Sequence, residues 1–462
     1  MTTINVMAPL LVGDPRGRDT EETRRAWLEF ATQLAAVKAE GVAAVSTDVW
    51  WGLVEKSERR YHWEYYDRLS DCIIAAGLKW VPIMSTHQCG GNVGDDVNVM
   101  LPPYIWKKMA GKMRTKNVDA ACFVSEQGNV CRESISCWAT DFVLGDMKAF
   151  FAAFMAHFAH KAEYISEINI SLGPAGELRY PSYNLHDKNA GFPTRGALQC
   201  YSELAQQSFA DAMLRKYGSV KAVHNAWGSR KLLAPPRNVR AFFDRKLHTD
   251  TEYGRDLFDW YSESLIEHGR KIMLAALEVF SGKGAAFVGI DLGAKVPGIH
   301  WRIGRFRRNK IVYGDRLAEL TAGLVSARGL IANDDAHAYE EIVRFFHDLQ
   351  KVKPSTRVWL HFTCLEMENG QDGNRESLAL ELVRWVGQTA KRLKVPVKGE
   401  NALSHLLYDA DTWLRLRAAL GLGDGQGHYE GLTILRMSDV VKNKVAAAEL
   451  HKTMQLIASS VE

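Results

Sequence analysis

Eight short apolar runs of strand length recur from one end of the chain to the other, and each gives way sooner or later to a helical pattern. They read "INVMAPL", "VAAVSTDVWW", "KWVPIMSTH", "ISEINISLG", "AAFVGIDLGAKV", "RVWLHFTCLE", "VPVKGENAL" and "LTILRM". A strand apolar on both faces has to be covered on both, which points to a parallel sheet under helices. The stretch "DTEETRRAWLEFATQLAAVKAEG" is one such cover, with an acidic first turn, Trp27, Phe30, Leu34 and Val37 at helical spacing, and a terminating Gly41. Further helical patterns run over Ala197 to Tyr217 and Leu378 to Leu393. Eight strand-helix units predict an α/β fold of the (β/α)8 TIM-barrel type, with a doubly wound open sheet as the rival. The barrel is favoured because no G-x-G-x-x-G follows the first run, and because polar residues gather at the C-terminal ends of most runs, where a barrel would crowd them into one mouth.

The stretches after the third and fourth runs, about Gly90 to Asp146 and Pro181 to Gly284, are rich in turns, short helices and aromatics. They read as long loops over the C-terminal face. No linker rich in Pro, Gly or Ser divides the chain and no repeat is visible, so residues 1–462 are expected to form one domain. With 47% hydrophobic and 24% charged residues it can bury a large core. The 58 basic and 54 acidic residues are interspersed, for a net charge of +4, which gives nucleic-acid binding no support. The one basic cluster, Arg302, Arg305, Arg307, Arg308 and Lys310, reads as a solvated loop. Seven cysteines, an odd number without C-x-x-C spacing, argue against a disulfide framework or a structural zinc. No basic leader with a long apolar stretch opens the chain, and nothing later approaches roughly 18 uninterrupted apolar residues. The expectation is a reduced, cytoplasmic monomer without a membrane partner. The sequon at Asn169 lies inside an apolar strand pattern and is set aside.

Two acids invite a chemical reading. Glu177 in "GPAGELRYPSY" and Glu400 in "VKGENAL" both follow a glycine at the end of an apolar run, so in a barrel they would face each other across the mouth. Paired carboxylates are the equipment of glycoside hydrolysis, one protonating the leaving oxygen and the other acting as base or nucleophile. A salt-bridged structural acid is the plain alternative at each position. Trp50, Trp51, Tyr180, Tyr183, Trp227, His300 and Trp301 fall in the strand-end loops, where aromatic faces either stack on sugar rings or cap the barrel. His87 and Cys89 are one residue apart without a second ligand pair, so neither metal nor cofactor is expected.

Seven motifs in order, "DVWWG", "STHQCGGNVGDD", "GPAGELRYPSY", "GAKVPGIHW", "FTCLEM", "GENAL" and "LRMSD", closely resemble those of the beta-amylases, glycoside hydrolase family 14, over nearly the whole chain. "KYGSVKAVHNAWGS" looks closer to the bacterial branch than to the plant one. The resemblance implies a (β/α)8 barrel that releases β-maltose, with inversion, from the non-reducing ends of α-1,4-glucans such as starch, glycogen and maltooligosaccharides. It implies Glu177 as general acid and Glu400 as general base, with carboxyls roughly 6.5–9.5 Å apart to admit a water. It makes Gly90 to Val97 a lid carrying Asp95, sets Lys295 beside the reducing-side glucose of the leaving maltose, and gives Thr363 to an inner loop that moves toward the reaction. Asp48, His87, His300, Trp301, Glu366, Asn401, Ala402 and Arg436 match subsite or supporting positions. The calcium that some bacterial relatives hold away from the active site has no recognisable ligand set around Glu55 and Glu58.

After "GIHW" the chain departs from the family pattern into "RIGRFRRNKIVYGDR", which puts the distal glucose subsites in question. Nothing after Arg436 resembles a starch-binding module, so soluble glucan is the expected substrate rather than granules. Two other readings stay open: a glucan-binding or regulatory protein that keeps the fold without turnover, and a retaining glycosidase whose carboxyls would stand only about 5–5.5 Å apart.

Overall fold

Each apolar run becomes a strand in the computed structural model, which describes residues 2–90, 95–230, 232–332, 336–422 and 427–460. The strands are β1 (Thr3–Met7), β2 (Ala44–Trp50), β3 (Lys79–Ser85), β4 (Glu167–Ile170), β5 (Asp291–Val296), β6 (Val358–Phe362), β7 (Val397–Glu400) and β8 (Gly431–Ile434). They close into a barrel in the order β1-β8-β7-β6-β5-β4-β3-β2, every neighbouring pair parallel. Register then fixes which side chains meet inside. His361 of β6 lies opposite Lys295 of β5 and Lys398 of β7, and Asn169 of β4 opposite Gly293 of β5.

A helix follows each strand on the outside: α1 (Glu21–Ala39), α2 (Glu64–Ala75), α3 (Thr140–Phe158), α4 (Glu252–Ser281), α5 (Glu340–Val352), α6 (Ala379–Leu393), α7 (Ala410–Ala419) and α8 (Lys444–Ser459). In α1 the Thr20 hydroxyl accepts from Thr23 N at 3.1 Å, supplying the missing partner of the first turn, and Trp27, Phe30, Leu34 and Val37 are buried as their spacing predicts. The segment Cys137–Tyr164, which contains α3, is long and apolar enough to cross a membrane by length and composition, although Asp141, Asp146 and Lys148 interrupt its apolar run. Here its Phe150, Phe151, Phe154 and Phe158 are fully buried, packed against Trp51, Trp63, Trp80, Phe280 and Phe287.

The long connections after β3 and β4 are shorter than the sequence reading has them, the first ending where α3 begins at Thr140, inside the stretch read as loop to Asp146. The second holds a 15-residue helix, Glu203–Tyr217, and shorter elements as far as Thr251, and the 30 residues Glu252–Ser281 are α4 itself. That helix is buried at Leu257, Trp260, Tyr261, Leu265, Ile272 and Phe280, a face so broad and aromatic that its period is blurred in sequence. The helix read from Ala197 begins instead at Glu203, where Ser202 caps it through Ala205 N at 3.2 Å. The basic cluster forms a solvated hairpin, Gly304–Arg307 paired antiparallel with Lys310–Tyr313, and Arg302 at its base donates Nε to Asp315 Oδ1 at 2.9 Å. All seven cysteines are free.

Candidate active site

A cavity of about 190 Å³ opens at the C-terminal ends of the strands, and every strand or the turn beyond it contributes to its wall. Met7 ends β1; Asp48 and Trp50 come from β2, Lys295 from β5 and Glu400 from β7. The turns beyond the strands add His87, Gln88, Cys89 and Asp95 after β3, Ala175 and Glu177 after β4, Thr363 after β6, Asn401 and Ala402 after β7, and Leu435 and Arg436 after β8. Larger hollows of about 620 and 660 Å³ lie elsewhere, around His428, and bring no pair of carboxylates together.

The turn after β4 explains the small residues before Glu177. The chain folds back so tightly that a Cβ on Gly173 would stand 2.7 Å from Glu177 O, and Gly176 sits at φ +78° with the His87 ring 3.3 Å from where a Cβ would be. Leu178 N then donates to Lys295 O at 2.8 Å, tying the turn to β5. Arg179 Nε donates to Glu177 Oε2 at 2.8 Å, while its guanidinium lies 4.2 Å over the Tyr183 ring. Burial raises the Glu177 carboxyl above the usual carboxylate range and outweighs Arg179 and Lys295, which pull the other way; Glu400 adds to the rise.

Glu400 has the opposite surroundings. Its Oε2 lies 2.8 Å from Lys295 Nζ and its Oε1 3.3 Å from His361 Nδ1. Burial works against the ionised form here too, but Lys295 and His361 together overcome it and the carboxyl is held below its ordinary value. Two carboxyls on one cavity are thus biased apart, one toward the acid and one toward the carboxylate.

Several other wall residues are held by short bonds. Asp48 Oδ1 accepts from Ser85 Oγ at 2.7 Å, and His87 Nδ1 is 2.8 Å from Ser171 Oγ, with burial pressing that imidazole toward neutrality. Asp95 Oδ2 accepts from Gly90 N at 2.9 Å, while residues 91–94 of the proposed lid lie outside the described residues. Thr363 Oγ1 accepts from Gly298 N at 3.0 Å. Asn401 exchanges two 2.8 Å bonds with the Leu435 backbone and so ties the end of β7 to the end of β8. Arg436 reaches Met7 Sδ at 3.7 Å.

Three of the residues selected from sequence are not brought to this wall. Glu366 is completely buried; its Oε1 accepts from Ala402 N at 2.8 Å and Leu403 N at 2.7 Å, so it braces the turn after Glu400. Burial pushes its carboxyl up to about 7. His300 pairs through Nδ1 with Ser377 Oγ at 2.8 Å, and Trp301 donates Nε1 to Thr194 O at 2.7 Å. Of the two readings open for the aromatics, protein packing accounts for most of them. Trp51 packs on Phe150, Tyr180 stacks on Tyr261 with centroids 3.8 Å apart, and Trp227 packs on Phe209, so only Trp50 of the named aromatics faces the cavity. Glu55 and Glu58 are taken up by protein donors, Trp51, Arg59 and Tyr104 for the first and Lys108 for the second. Among the described residues no cluster of three His, Cys, Asp or Glu side chains could hold a metal ion.

Sequence reasoning missed Arg179, Glu167, His361 and Lys398. A signal existed for the last three. Polar residues recur two apart along strands otherwise apolar, Glu167 with Asn169, His361 with Thr363 just past its strand, and Lys398 with Glu400, and period two puts each pair on one face, which in a barrel whose outer face is covered by apolar helices is the interior.

The sequence profile of glycosyl hydrolase family 14 matches residues 7–461. The thermophilic beta-amylase of Thermoanaerobacterium thermosulfurigenes is 34% identical over 426 residues, covering 90% of this chain and 68% of that protein. The beta-amylase of Niallia circulans is 34% identical over 425 residues, covering 90% and 65%. The chain therefore spans about two thirds of the length of these relatives. The crystal structure of the catalytic domain of beta-amylase from Paenibacillus polymyxa superposes with a TM-score of 0.77 at 31% identity, over 100% of this chain and 99% of that one.

Proposed function

The chain belongs to glycosyl hydrolase family 14, and from that membership we propose that it is an inverting exo-hydrolase of α-1,4-glucans that releases β-maltose from non-reducing ends. That it is a starch-degrading glycoside hydrolase of the beta-amylase type follows from the family and the relatives. The residue roles are the proposal, and the observation that carries them is the opposite bias of Glu177 and Glu400 on one cavity.

In this reading Glu177 arrives protonated and gives its proton to the glycosidic oxygen as the bond to the anomeric carbon breaks. Glu400, kept ionised by Lys295 and His361, takes a proton from a water on the opposite face of the ring, and the resulting hydroxyl bonds to the anomeric carbon with inversion. Lys295 also presents donors to the sugar beside the scissile bond, and Asp48, Asp95 and Arg436 offer partners for hydroxyls. Asp95 belongs to a glycine-rich segment suited to a lid that excludes water once glucan is bound.

Proton NMR of the anomeric signals during digestion of maltohexaose tests the reading, with Glu177→Gln as control. Early β-maltose, absent in the control, is the expected result. Accumulating α-maltose would mean a retaining mechanism, and binding without any release of sugar would mean a glucan-binding protein.

A further inference from the structure

Behind Glu400 the barrel interior holds a line of charges that hydrolysis as described does not use in full. His361 is 1% exposed. Its Nε2 lies 2.5 Å from Glu167 Oε1, and Glu167 Oε2 accepts from Lys398 Nζ. Its Nδ1, buried and without an aligned hydrogen-bond partner, lies 3.3 Å from Glu400 Oε1. The groups around the ring come from three strands: Glu167 and Asn169 from β4, Lys295 from β5, and Lys398 and Glu400 from β7.

A neutral imidazole carries its proton on one nitrogen and a lone pair on the other. With the proton on Nε2, the lone pair of Nδ1 would face the Glu400 carboxylate; with it on Nδ1, the lone pair of Nε2 would face Glu167 at contact distance. Only the imidazolium offers an N–H to both carboxylates. The chain makes room for this arrangement at Gly293, where a Cβ would stand 2.5 Å from both Glu167 Oε1 and Asn169 Oδ1 and 3.0 Å from His361 Cδ2.

We infer that Glu167 and His361 form a positioning pair which holds Glu400 from behind through one oxygen, leaving its orientation and its charge set for activating water at the cavity. The inference rests on the reading of Glu400 as general base. It agrees with the titration of the groups involved. Burial disfavours the charged ring, yet the two carboxylates raise His361 above its ordinary value; burial likewise works against ionised Glu167, yet His361 and Lys398 hold it down to about 2.

The test is the pH dependence of kcat/KM on maltohexaose for His361→Gln and Glu167→Gln, each beside its melting temperature, with Glu400→Gln in the same assay. Losing the imidazolium behind Glu400, directly in His361→Gln and through loss of the carboxylate that keeps the ring charged in Glu167→Gln, raises the pKa of the base, so the acidic limb should move up by about one pH unit in both variants while the alkaline limb stays in place. A purely structural pair would lower the melting temperature without moving that limb. An unmoved acidic limb, with Glu400→Gln inactive, overturns the inference and leaves Glu400 as the base. Full activity in Glu400→Gln overturns the base assignment and the inference with it. Should neither variant fold, neutron diffraction from deuterium-exchanged wild-type crystals at pH 7 decides: deuterium on both ring nitrogens of His361 is expected, and deuterium on only one overturns the proposal.

Discussion

Glu177 and Glu400 are the same side chain in two electrostatic settings, and the settings predict the pH behaviour. Activity should fall on the acid side as Glu400, held below its ordinary value, takes up a proton, and on the alkaline side as Glu177, held above its own, loses one. Arg179 works against the rise at Glu177, so Arg179→Met should move the alkaline limb of kcat/KM upward by about one pH unit, read from initial rates on maltohexaose. Glu177→Gln should lower kcat on the order of 10²-fold or more, because a positioned acid is lost while the fold is kept. Glu366 carries a prediction about stability instead. Burial raises its carboxyl to about 7 in the folded chain from an ordinary value of 4.5, so the stability it contributes is full below that lower value and is lost as pH rises through 7. Glu366→Gln keeps an oxygen for Ala402 N and Leu403 N and removes the titration. The variant should therefore be more stable than the parent at pH 8, by about 3 kcal/mol from the size of the shift, and show little advantage at pH 4, as measured by urea unfolding at both.

At the scale of elements, backbone turns do as much for the site as side chains do. The turn Gly173 to Glu177 reaches its shape only because its glycines leave room for Glu177 O and the His87 ring. Gly173→Ala should therefore displace Glu177 and cost activity, on the order of 10²-fold in kcat/KM for a shift near 1 Å, while the cooperative melting of the barrel persists. Helix α3 is the contrasting case, since its phenylalanines touch no part of the cavity. Phe154 meets Trp63, Trp80, Phe280 and Phe287, and Phe154→Ala should destabilise the chain by about 3–5 kcal/mol in denaturant unfolding with kcat unchanged below the transition. Only the first of these is legible in sequence, where the glycines around Glu177 stand out because turn chemistry is local. Helix α3 begins inside the stretch read as a loop, and that α4 covers it is not legible either, because a helix buried along so broad a face loses the polar stripe by which period is recognised.

For the molecule as a whole, closure of the barrel converts eight separate strand ends into one wall, and the hairpin Gly304–Tyr313 stands outside it. Arg305, Phe306, Arg307, Arg308 and Lys310 are exposed, and exposed residues away from buried contacts contribute little to stability. Replacing residues 305–310 with a two-residue turn should move the melting temperature by no more than about 2 °C, with any change falling on KM for longer glucans rather than on maltotetraose turnover. From its amino-acid order alone, the chain determines its eight strands, the acidic first turn and inward stripe of α1, and two acids placed after glycines at strand ends. These are local matters, set by the periods of two and 3.6 residues and by turn chemistry within a few positions. The tertiary structure alone decides which aromatics reach the cavity and which are core, why Glu366 supports the wall without lining it, and how His361 meets Glu167, 194 residues away in the chain. It also decides which of two identical carboxyls is raised above its ordinary value and which is held below it. The physical reason is that burial and Coulomb interaction act through space, so that the charge on Glu400 is set by Lys295 and His361 on two other strands, and only closing the barrel brings them within reach.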